Sequence, residues 1–127
     1  MSRARGNRLQ NALARYLIPW YPHAESAGAG RNGTDVLGTP GVVWECKTAA
    51  EFKRDFRPAE WMKQAKSHAL LRAMPNGAPY PVPVVVYFPP GIGEQNTANT
   101  LAIVPMHVLM RLLVEAEYAT PPKEAAS

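Results

Sequence analysis

Only one cysteine, Cys46, occurs in the 127 residues, so no intrachain disulfide can brace the fold, and Cys/His clusters with structural-zinc spacing are absent. The fold must stand on packing alone. Long apolar runs are missing too: the longest, Val82–Phe88, contains Pro83 and is far too short to cross a bilayer, so no membrane partner is expected. The basic residues 1–6 lead into no apolar segment, which argues against a secretory signal and makes the cytoplasm the expected compartment. Acidic residues are in deficit, 10 Asp and Glu against 14 Lys and Arg. The resulting net charge of +4 and pI of about 9.5 favour polyanionic partners such as DNA, RNA or anionic surfaces. An apolar fraction of 46% and a charged fraction of 19% exclude wholesale disorder. The length suits one domain over residues 1–119, with 120–127 as a frayed tail.

What is present is a set of periodic segments. Leu9, Leu13, Tyr16 and Leu17 recur at helical spacing across residues 3–17, while Arg5, Arg8 and Arg15 fall largely elsewhere on the wheel. This predicts an amphipathic first helix, ended by Pro19 and Pro22. After a loop over 24–33, two short strands, 34–37 and 42–48, flank Gly38-Thr39-Pro40-Gly41, and the natural reading is a β-hairpin. Within 42–48 the period of two puts Val43, Glu45 and Lys47 on one face and Val42, Trp44 and Cys46 on the other. The second face is expected to be buried, leaving Glu45 and Lys47 along a cleft. Pro58 suits the first turn of a helix over 58–74, closed by Pro75-Asn76-Gly77. Residues 84–88 read as a central strand, 89–99 as a loop, 100–104 as a strand and 106–117 as a last helix. This order predicts an α/β or α+β domain, a central mixed sheet flanked by helices. The connection from the Glu45 strand to the 84–88 strand is a right-handed crossover if the two are parallel.

The segment that carries chemistry is Asp35 followed by Glu45-Cys46-Lys47. Phosphodiester hydrolysis needs hard oxygen ligands that hold Mg²⁺ or Mn²⁺ beside the phosphate, and Asp35 and Glu45 can supply them. The backbone carbonyl of Cys46 is a further candidate ligand. Lys47 shares the strand face of Glu45, which places an ammonium where it can orient the attacking water or stabilise the phosphate.

These residues resemble the PD-(D/E)-x-K nuclease superfamily and, within it, the archaeal and phage-type Holliday-junction resolvases. The resemblance covers residues 3–114 and runs in order. It takes in the Arg-rich opening helix after Gly6, the loop Glu25-Ser26-Ala27-Gly28, Gly33-Thr34-Asp35-Val36 and Gly41-Val42-Val43-Trp44-Glu45-Cys46-Lys47. A following helix with Gln64 and the closing Val104-Pro105-Met106 complete it. It implies a restriction-endonuclease-like core and a Mg²⁺-dependent homodimer that cuts branched DNA in recombination and repair. Asp35 and Glu45 are then metal ligands and Lys47 the catalytic lysine. Ser26 matches a serine that some resolvases place near the scissile phosphate, and Gln64 a glutamine that many superfamily members hold on the helix after the lysine strand. One position departs from the pattern. Where these resolvases carry a glutamate four residues after the N-terminal glycine, this chain has Gln10, a neutral amide that can reach a metal through its oxygen but adds no charge. Glu25 is the nearest candidate to replace that charge.

Arg3, Arg5, Arg8, Arg15, Arg31, Lys53, Arg54, Arg57, Lys63 and Lys66 are candidate phosphate contacts around the carboxylates. His23, His68 and His107 lack metal-ligand spacing and read as structural, Trp44 and Trp61 as core, and Cys46 as a small buried apolar residue. Two rivals share these residues: a RecB-like or restriction-type nuclease acting on ends or duplexes, and a non-catalytic DNA-binding module, which Gln10 favours.

Overall fold

The computed structural model describes residues 3–28, 34–48, 56–73 and 81–123; for residues 3–5 and 73 it describes the backbone. In chain order the elements are α1 (Arg3–Leu17), β1 (Glu25–Ser26), β2 (Val36–Leu37), β3 (Val42–Thr48), α2 (Pro58–Ala73), β4 (Val82–Phe88), a 3-10 segment (Glu94–Asn99), β5 (Leu101–Ile103) and α3 (Met106–Glu115). The architecture is mixed α/β. Strands β3, β4 and β5 form a three-stranded sheet, β3 and β4 parallel and β4 and β5 antiparallel, while β1 and β2 make a separate two-stranded antiparallel ribbon.

Parallel neighbours need a crossover connection, and α2 supplies it between β3 and β4. The register pairs Glu45 with Val85 and Lys47 with Tyr87, so those four side chains share one face of the sheet. The opposite face meets α1: Leu9, Leu13, Ala14 and Leu17 pack with Val36, Val84, Val86 and Phe88, and Val42, Trp44 and Cys46 join them partly buried. Strand β4 is therefore covered on both sides, which explains its unbroken apolar sequence. Pro83 is tolerated within it because Val82 donates to Gly41 on the β3 side, which turns the nitrogen of Pro83 toward the side where β5 begins only at Val85.

The expected hairpin does not form. Strand β2 pairs with β1, and residues 34–35 run along the free edge of β3 through other bonds. Asp35 N–H donates to Trp44 O at 2.8 Å, and the buried hydroxyl of Thr34 accepts Trp44 N–H, also at 2.8 Å. A side chain thus replaces a ladder partner, which frees β2 to turn toward the ribbon. Gly38, at φ +83°, permits that departure, since a Cβ there would collide with the backbone carbonyl of His23.

The burial expected for β3 is also corrected. Val43 is 0% and Glu45 7% exposed, whereas Trp44 and Cys46 are only half-buried. The cause is α2, which presents Ala65 and Ala69, both fully buried, so the helix settles close over the Val43–Glu45 side and covers the charge. Leu70 and Leu71, the larger apolar residues of α2, are exposed instead. The expected loop over 89–99 contains the 3-10 segment, whose Thr97 is buried and bonds to Glu94 O at 3.2 Å. Among the described residues no helix is long and apolar enough to cross a membrane.

Candidate active site

Asp35 is held at the edge of β3 by its own backbone and by its side chain. Its Oδ2 accepts Cys46 N–H at 2.7 Å, a short bond to an ionisable acceptor that aims the carboxylate along the strand. Because N–H and C=O of one strand residue point to the same side, the carbonyl of Cys46 faces this same edge. Glu45, one residue earlier, projects beneath α2. Its Oε2 lies 3.2 Å from Lys47 Nζ, with the two side chains 10% and 25% exposed. Its Oε1 lies 3.3 Å from His68 Nδ1, yet the two atoms are not aligned for a hydrogen bond, and both are buried without a partner.

Electrostatics mark the same place. Burial pushes the Asp35 carboxyl up to about 6; the Cys46 N–H pulls it down, the Glu45 charge pushes it up, and Lys47 and His68 pull it down again. Burial, then the Asp35 and Glu45 charges, push the Cys46 thiol up to about 12, so at neutral pH it stays protonated and unreactive. Asp35 is thus reluctant to ionise, while Glu45 keeps one oxygen on Lys47 and the other buried without a hydrogen-bond partner.

Glu45 and Lys47 are thus brought together as the strand pattern implied, while Asp35 reaches the Cys46 edge of the strand through its bonds to Trp44 and Cys46 and not through a hairpin. The oxygens of Asp35, Glu45 and the Cys46 carbonyl are of the hard kind that Mg²⁺ or Mn²⁺ takes. Among the described residues no group of three His, Cys, Asp or Glu side chains forms a closed metal cage. That is no obstacle to Mg²⁺, which is commonly held by one or two carboxylates with waters and substrate phosphate completing the shell. His68 is the residue that the sequence reading missed. The signal was there: Trp61, Ala65 and His68 recur at helical spacing, which puts His68 on the stripe of α2 that faces β3.

Lys47, Glu60, Trp61, Lys63, Gln64 and Ser67 line a cleft of about 530 Å³, which meets the carboxylates only through Lys47, the partner of Glu45. Gln64 therefore borders the site, one turn from His68. Trp61 is not core: half-buried, it stacks on Tyr87 with ring centroids 5.6 Å apart, and Phe56 meets it edge-on at 5.3 Å. Ser26 Oγ donates to Gln10 Oε1 at 3.2 Å. That occupies the amide oxygen expected to reach a metal. The ribbon still brings the pair near the site, since Ala27 N–H donates to Asp35 O at 3.0 Å. Glu25 is exposed in β1.

The basic residues do not form one path around the carboxylates. Arg8 pairs with Glu94 at 3.4 Å, and with the exposed Arg15 it stands on α1, which covers the other face of the sheet. Arg57 pairs with Glu60 at 3.5 Å. Lys66 borders a different cleft with His107 and Arg111, leaving Lys63 as the described companion of Lys47. Arg3 and Arg5 sit in α1 with side chains outside the description, and Arg31, Lys53 and Arg54 lie outside the described residues.

Comparison of the chain with protein-family profiles, curated proteins and solved structures returns no match.

Proposed function

We propose that this protein is a metal-dependent DNA endonuclease that hydrolyses phosphodiester bonds with Mg²⁺ or Mn²⁺, and that its preferred substrate is branched DNA such as a Holliday junction. The observation that carries this reading is that one strand segment bears Glu45 with Lys47 Nζ 3.2 Å away and, at Cys46, the N–H that holds Asp35, with a cleft opening beside Lys47. Asp35, Glu45 and the Cys46 carbonyl would hold the cation, and Glu45 Oε1, buried without a hydrogen-bond partner, is an oxygen that such an ion could take. When bound, the cation supplies charge neutralisation at the phosphate and a more acidic water. Lys47 orients the attacking water or stabilises the charge that develops on the phosphate, in a position fixed by Glu45. His68 stands over Glu45 from the α2 side, 3.3 Å from its Oε1.

The parallel β3–α2–β4 unit, with Asp35 at the edge of β3 and Glu45 on its α2 face, supports a restriction-endonuclease-like core. The resolvase reading adds a homodimer, because paired cuts in opposed strands of a junction suit two-fold symmetry. Cleavage of a labelled four-way junction with Mg²⁺, in competition with a flap and a linear duplex, tests the proposal. Wild-type protein should cut the junction, and Asp35→Asn and Glu45→Gln should not, while both variants still bind it. Wild-type cleavage rates in Asp35→Asn would remove this assignment. A second reading, a DNA-binding module without catalysis, is favoured by Gln10, whose amide oxygen is taken by Ser26. Calorimetry separates the two, since the module would bind DNA and no Mg²⁺.

A further inference from the structure

We infer that Trp61 is a stacking platform for one unpaired nucleobase, seated beside the phosphate that Lys47 receives, so that the substrate carries an unstacked nucleotide at the point of cleavage. This rests on the phosphodiesterase reading of the site and narrows its substrate class. The platform is built from three elements. Tyr87 sits next to Lys47 across the β3–β4 pair, Trp61 at the start of α2 stacks on it at an interplanar angle of 29°, and Phe56 braces both rings edge-on. Tyr87 occupies one face of the indole. Trp61 remains half-buried and borders the cleft that also holds Lys47, Lys63, Gln64 and Ser67.

The middle of the sheet–helix contact is filled by Ala65 and Ala69, both fully buried, whereas Trp61, at the end of the same stripe, stays half-buried at the cleft. The rest of the cleft suits a nucleotide. Gln64, one turn from Trp61, offers an amide donor and acceptor of the kind that reads a base edge, Ser67 offers a hydroxyl, and Lys63 a cation for a flanking phosphate. In continuous duplex both faces of a base are covered by its neighbours, so only a flipped, frayed or branch-point base can lie on Trp61.

The test uses the full chain in EDTA, so that binding is read without cleavage, and oligonucleotides carrying 2-aminopurine, whose fluorescence falls on stacking. One is single-stranded and one is the same strand fully paired. Wild-type protein should quench the single strand and bind it more tightly than the duplex. Trp61→Leu should lose the quenching and weaken single-strand binding by about tenfold or more, while Trp61→Phe, which keeps a ring, should retain much of both. Thermal unfolding of Trp61→Leu confirms that it is folded under assay conditions. Unchanged quenching and affinity in folded Trp61→Leu, or equal wild-type affinity for single strand and duplex, overturns the platform. Stacking by wild-type protein that never cleaves with Mg²⁺ upholds the platform and removes the enzyme assignment; cleavage that is indifferent to Trp61 does the reverse.

Discussion

The two faces of β3 follow different rules. Toward α1 the contacts are those of an ordinary core: leucines on the helix, valines and Phe88 on the sheet, Trp44 and Cys46 at the margin. Toward α2 the same strand carries Glu45 and Lys47, and the helix answers with alanines, a histidine and, at its first turn, a tryptophan. The first face is closed by size. The second is closed by the smallness of Ala65 and Ala69 in its middle and left open at one end, where Lys47 and Trp61 meet solvent. On the proposed function, the contrast puts the chemistry on the α2 side alone, beside the fully buried Val43 and Val85, and only packing on the α1 side of one seven-residue strand. A substitution on one side should leave the property of the other largely intact.

The largest effect expected on the α2 side is that of Lys47→Ala, which should cut the rate on a labelled junction by about a hundredfold or more if the ammonium stabilises transition-state charge. Mg²⁺ binding by calorimetry and the thermal midpoint should change little. On the α1 side Phe88→Ala should do the opposite: a loss of about 3–5 kcal/mol in denaturant unfolding, from an emptied site that is fully buried, with the rate retained in whatever protein remains folded. A large rate loss in folded Phe88→Ala would break the division between the faces.

A smaller effect sharpens it at the boundary. Cys46 points its side chain to the α1 side while its backbone serves Asp35, so Cys46→Ala should cost about 1–2 kcal/mol and leave cleavage intact. In the wild type its thiol, pushed up to about 12, should react slowly with iodoacetamide until the protein unfolds. Fast alkylation of the native protein would place that side chain on the wrong face.

A last effect tests the burial of the Asp35 carboxyl. The Asp35 carboxyl stands at about 6 in the folded chain against 3.8 for the free side chain, so the folded state holds its proton more tightly. Its contribution to stability is full below the unfolded value and is lost as pH rises through about 6. In EDTA, Asp35→Asn should therefore melt higher than wild type at pH 7.5, by about 4 °C for each kcal/mol regained, and the gain should vanish near pH 4. An Asp35→Asn midpoint below wild type at pH 7.5 would mean that the carboxylate is a stabilising partner of Cys46 and not a charge in need of a cation.

Local physics made much of this legible from residue order alone. The leucine spacing and Pro19 give α1 its length, Pro58 marks the start of α2, and Val42–Thr48 reads as a strand with Glu45 and Lys47 on a shared face. Glu45 and Lys47 follow from that alternation, and Asp35 from what a phosphate and a hard cation require; its seat on the Cys46 edge came from its bonds to Trp44 and Cys46 and not from the expected hairpin. Alternation says which side chains lie together; it does not say what lies over them. That Glu45 is covered while Trp44 is half-open was decided by α2, whose two alanines allow a closer approach than its leucines would. The partner of β2 was decided by the Thr34 hydroxyl, which replaced a ladder bond and released the strand to β1. His68 reached Glu45, and Trp61 came to rest on Tyr87 beside Lys47, only because a parallel crossover laid α2 back across β3 and β4, contacts between residues too far apart in sequence for any local period to encode.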